Sequence, residues 1–165
     1  MTTRLASRRV GSSGIGGPAT GYLPAMTSPL IRSLVLGVAA GGRSSLGLLV
    51  PAARSGSRRL TLVVGALVAA EATGDKLPGI PSRLDTAPFA GRLAAGAAGA
   101  AGLAVVEKRS PVLPAVAGLV GAALGSYAGA SWRAVTDRRG RTWAGALAED
   151  AFVGGLAAWV VRTGV

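Results

Sequence analysis

Five apolar runs, rich in glycine and alanine, occupy most of this 165-residue chain and constrain it more than any other feature. They cover 30–50, 60–74, 89–106, 112–132 and 143–161, separated by short stretches in which arginine, proline and serine gather. Charged residues make up only 15% of the chain, against roughly 25% in an ordinary soluble domain. Runs of this length without strict apolar/polar alternation point to helices, because backbone groups in lipid must be paired within their own segment. The expected fold is all-α: a transmembrane bundle of about five Gly/Ala-rich spans over 30–162.

The spans are unequal. Runs three and four have full spanning length, whereas 60–74 reaches only about 22 Å at 1.5 Å per residue, short of the roughly 30 Å hydrocarbon layer. The fifth is long enough only if Glu149 and Asp150 lie within it. Residues 1–29 contain no acid and no apolar core of the kind a secretory signal needs, and read as a disordered basic tail. Lysine and arginine total 18 against 7 acids. With five spans, the tail's side collects eleven of the basic residues and the opposite side six, which places the N-terminus in the cytoplasm. Nucleic acid is not expected as a partner, because the cations punctuate apolar runs instead of forming one stripe. The partners expected are the lipid bilayer, anionic lipid head groups and, through packing faces, a second copy of the chain.

Ionisable groups inside spans cost about 2.5–3.5 kcal/mol each and therefore turn inward and pair. Arg43 lies deep in the first run. Glu71 and Asp75, four apart, share a face at the end of the second, and Glu149 and Asp150 are adjacent in the fifth. Arg43 is expected to pair with one of these carboxylates. Two roles are open: ion pairs that fix helix packing, or a cation or proton path, since four acids exceed what Arg43 alone neutralises. Between runs two and three, Pro78 and Pro81 break helix and leave Lys76, Arg83 and Asp85 as a polar connector. Lys76 and Arg83, with Arg92, offer a site for a phosphate or lipid head group. A faint echo pairs Arg43 with Glu71 and Asp75, and Arg133 with Glu149 and Asp150, as in inverted transporter repeats.

Small residues let membrane helices approach closely. Ala117, Gly121, Gly125 and Gly129 recur every fourth position in run four. Gly91, Ala95 and Gly99 do so in run three, and Gly37 and Gly41 in run one.

The chain has no Cys and no His, which removes thiol nucleophiles, imidazole bases and the usual zinc sites. No phosphate-binding G-x-x-x-x-G-K-[ST] loop, nucleophile elbow or H-E-x-x-H motif occurs. No enzyme, metal or cofactor is expected. The spacing of Gly42, Arg43, Ser44 and Pro51, then Glu71, Asp75, Lys76, Pro78 and Pro81, then Asp85, Pro88 and Gly91, and last Ala148, Glu149 and Asp150 resembles the bacterial membrane proteins grouped as domain of unknown function 4126. The resemblance implies a small multi-span protein of the bacterial cytoplasmic membrane and no chemistry. The role expected is a structural or scaffolding bundle with buried ion pairs, and the alternative is a small cation or proton transporter or channel.

Overall fold

The computed structural model describes residues 28–74 and 84–163. Among them lie six helices and no strand: α1 (Pro29–Gly42), α2 (Ser44–Arg54), α3 (Arg58–Gly74), α4 (Thr86–Val106), α5 (Val112–Arg138) and α6 (Thr142–Thr163). The last three are long and apolar enough to cross a membrane.

The first apolar run is not one helix. It breaks at Arg43, whose φ of −140° and ψ of 116° are extended, and its two arms fold back on one another. Arg32 Nη2 and Arg54 Nη2 lie 2.7 and 3.5 Å from the same oxygen, Glu107 Oε1. In an unbroken helix the Cα atoms of residues 32 and 54 would stand about 33 Å apart, a gap that two arginine side chains cannot close. α1 and α2 therefore form a hairpin with both ends at one end of the bundle, the base, beside the end of α4. Its tip points along the bundle at Arg43.

The other helices frame this hairpin. Gly37 and Gly41 of α1 meet the backbone of Gly118, Ala122, Gly125 and Ser126 on α5, with numbers rising together, so α1 and α5 run parallel. α4 packs against α5 and the second arm: Gly96 touches Gly118 of α5, and Gly99 touches Gly47 of α2. Pro51, inside α2, has no N–H to give the Gly47 carbonyl, and that carbonyl is the atom facing Gly99. α6 returns from Thr142, passes Gly42 at Val153 and reaches the base, where its Val161 carbonyl accepts from Arg54 Nη1 at 2.8 Å.

The expected packing stripes are in part displaced. On α5 the face in contact runs through Gly118, Gly121, Ala122, Gly125 and Ser126, with Gly129 buried beyond it, while Ala117 lies at its margin. On α4 the close approaches belong to Gly96 and Gly99. Gly91 is exposed, and a Cβ there would meet nothing within 4 Å, because Arg92, one step of about 100° round the helix, takes the inward position.

The interior is built of Gly, Ala, Ser and paired charge around a modest cluster of Leu36, Leu46, Val50, Leu103, Val153 and Val160. The exterior carries the large apolar side chains, among them Leu62 and Leu67 on α3, Leu113, Val116 and Leu124 on α5, and Leu147 and Phe152 on α6. A soluble domain keeps such residues inside. This inverted distribution matches helices whose outer surface meets hydrocarbon and whose interfaces close through small residues.

Candidate functional site

The hairpin tip gathers the charges. Where α1 stops, its last carbonyls have no intrahelical partners, and where α2 starts, its first N–H groups have none. Both sets are satisfied from other helices. Arg92 Nη1 of α4 donates to the Gly41 and Gly42 carbonyls at 2.9 and 2.7 Å, and Ser126 Oγ adds a weaker bond to Gly41 at 3.3 Å. Glu71 of α3 accepts from the Ser44 and Ser45 backbone N–H groups, each at 2.9 Å, and from both serine hydroxyls. The sign of each partner matches the helix dipole: a cation sits at the C-terminal end of α1 and an anion at the N-terminal start of α2. Arg92 Nη2 and Glu71 Oε1 then face one another at 3.8 Å across the break.

Two further pairs complete the cluster. Arg43, 5% exposed, projects from the break to Asp150 of α6, with Nε 3.0 Å from Oδ1. Arg133 of α5 reaches Glu149 of α6, Nε to Oε2 2.9 Å. Among the described residues, three guanidiniums thus meet three carboxylates. Buried ion pairs offset their desolvation only when the geometry is good and the remaining groups are bonded, a condition met most fully at Glu71.

The expected cluster of Arg43, Glu71, Glu149 and Asp150 therefore lies in one region, but its pairing differs from a single arginine facing surplus acid. Arg92 and Arg133 supply the missing cations. Arg92, grouped with the connector as a head-group ligand, is buried and caps α1 instead. Asp75, Lys76 and Arg83 fall outside the described residues. Asp85 stands at the N-terminal boundary of α4, exposed and without a side-chain capping bond. The inverted-repeat echo fails on direction: the first run is a hairpin and not a span, and α1 and α5 run parallel. Ser44 and Ser45 open α2 after Arg43 at its N-cap, and serine beside Gly-Gly is a local helix-start signal. Arg92 gave none beyond its place near the start of an apolar run.

Among the described residues no group of three or more acids gathers as a metal site. Beside the cluster, a cavity of about 410 Å³ opens between α1, α5 and α6, lined by Gly42, Gly125, Gly129, Trp132, Glu149 and Phe152. Among the described residues, Glu149 is the one charged group on its wall. α5 and α6 meet closely only nearer their connecting turn, where Trp132 Nε1 donates to the Gly145 carbonyl at 2.9 Å and Gly145 abuts Thr136.

No family model, curated protein or solved structure matches the chain.

Proposed function

We propose that this chain is a multi-pass protein of the bacterial cytoplasmic membrane, of the type grouped as domain of unknown function 4126, and that its role is structural. It holds a rigid re-entrant hairpin inside a helical bundle and performs no catalysis. α4, α5 and α6 cross the bilayer, 17-residue α3 crosses a locally thinned one, and α1–α2 enters and leaves on one side. The observation that carries this reading is the balance at the tip. Arg43, Arg92 and Arg133 each engage a carboxylate, so Glu71, Glu149 and Asp150 hold no unneutralised negative charge to attract a cation. Non-helical backbone at membrane depth is tolerated where protein buries it, and here the break is enclosed by α3, α4, α5 and α6.

One observation favours the transport reading: the helix break and the cavity beside Glu149 lie together, as discontinuous helices do around transporter sites. Reconstitution in liposomes separates the two. The structural role predicts no proton or cation flux from the parent protein, and loss of assembled, thermally stable protein in Glu71→Gln and Glu149→Gln. Flux in the parent that disappears in Glu149→Gln while assembly is unchanged would establish transport instead.

A further inference from the structure

At the base of the bundle a second cavity, about 420 Å³, is lined by Arg32, Arg54, Val106, Glu107 and Arg109. Three guanidiniums face one carboxylate. Glu107 is shared by Arg32 and Arg54, and Arg54 also holds the Val161 carbonyl. Arg32 is the unusual member. Its side chain is 6% exposed and its Nη2 is ion-paired with Glu107 at 2.7 Å, yet its Nε has no hydrogen-bond acceptor. A buried guanidinium N–H left without an acceptor is costly, and this one belongs to a residue on the wall of a cavity lined, among the described residues, by three arginines and one glutamate. The cavity has many times the roughly 30 Å³ that one water occupies in the liquid.

Its position narrows the chemistry. The turn 107–111 joins two membrane-crossing helices, so the cavity lies where lipid head groups lie. Arg58 and Arg59, the first residues of α3, and Lys108 add cations at the same end. Guanidiniums bind phosphate oxygens through paired N–H bonds, and cationic pockets between membrane helices hold phospholipid head groups.

We propose that the Arg32–Arg54–Arg109 cavity is a phosphate-ester binding site, with Arg32 and Arg109 supplying the N–H groups that meet the ligand's oxygens and Glu107 holding Arg32 in place. The site rests on the membrane-crossing reading of α4 and α5 and not on the role of the hairpin tip, so transport at the tip would leave it unchanged.

Purified full-length protein in a neutral detergent tests this through its thermal midpoint and through native mass spectrometry. The probes are phosphatidylglycerol, phosphatidylcholine and inorganic phosphate. Phosphatidylglycerol is expected to raise the midpoint and remain bound. Arg109→Ala, at an exposed position, should weaken its half-saturation about fivefold, the worth of one cation near a head group, and Arg32→Gln by at least as much. Arg139→Ala, at the opposite end, should leave it unaltered. Binding of inorganic phosphate without phosphatidylglycerol supports the site with a free anion as its ligand. Binding of none of the three probes overturns the proposal, as does an equal loss in Arg109→Ala and Arg139→Ala, which would mean diffuse attraction only. Should Arg32→Gln fail to assemble, the comparison of Arg109→Ala with Arg139→Ala still decides.

Discussion

At the residue where α4 ends, a lysine occupies a position that suits glycine. Lys108 has φ of 56° and closes the helix through bonds from its own N–H to Val105 O and from Arg109 N–H to Ala104 O, at 2.9 and 2.8 Å. This is the six-to-one and five-to-two pattern that glycine usually completes. An L side chain in that region costs about 1 kcal/mol, so Lys108→Gly should stabilise the protein by roughly that amount, less the entropy glycine restores to the unfolded chain. A raised thermal midpoint in detergent is the expected result. Glu71 is the opposite case, a side chain that cannot be spared. Its carboxylate satisfies two backbone N–H groups and two hydroxyls at the start of α2. Glu71→Ala removes a helix cap and the carboxylate that Arg92 Nη2 faces at 3.8 Å, a loss of about 2–3 kcal/mol. Ser45→Ala, which keeps the backbone bond, should cost about 1 kcal/mol. Thermal denaturation of both variants checks the ranking.

For the helices, glycine position decides more than glycine content. A Cβ at Gly99 would collide with the Gly47 backbone, which cannot yield as a flexible side chain would. Gly99→Ala should therefore destabilise by about 3 kcal/mol or more. Gly91→Ala, on an open helical surface, should be neutral or gain up to about 1 kcal/mol. Equal effects in the two variants, read from unfolding midpoints, would contradict the helix faces described above. The same contrast shows what sequence could reveal. Apolar run length marked α4, α5 and α6, the helices long and apolar enough to cross a membrane, but also marked 30–50, which is a broken hairpin, and the depth of Arg43 marked it as a residue needing a partner. Fourfold spacing of small residues named Gly121, Gly125 and Gly99 as packing positions and also named Gly91, because periodicity identifies a face but not where a neighbour lies. The break at Arg43 was written in Gly41–Gly42 and Ser44–Ser45, an end signal followed by a start signal. Glycine is common in membrane helices, so a Gly-Gly pair inside an apolar run does not by itself mark a break. The partners of Glu71 and Arg92 were beyond reach, since both bind ends of helices from a distant part of the chain.

The hairpin changes the topology of the whole molecule. If the first run crossed the bilayer, the segment before α1 would face the side opposite Ser57. Because the arms return to Glu107, the start of α1, the α2–α3 turn, the α4–α5 turn and the end of α6 all belong to the base, and the α5–α6 turn belongs to the other end. Arg54, Arg58, Arg59, Lys108 and Arg109 then share one end of the bundle with Arg32 instead of opposing it. If the described cations set the orientation, the base is expected to face the cytoplasm. The absence of native cysteine makes the test direct: introduce Ser12→Cys, Ser57→Cys, Ser110→Cys and Gly140→Cys singly and label intact cells with a membrane-impermeant maleimide. Gly140→Cys should react from outside, and the other three only after the membrane is opened. Outside labelling of both Ser12→Cys and Gly140→Cys would mean that residues 30–50 cross the bilayer in the native protein, and the shared contact of Arg32 and Arg54 with Glu107 could not then exist.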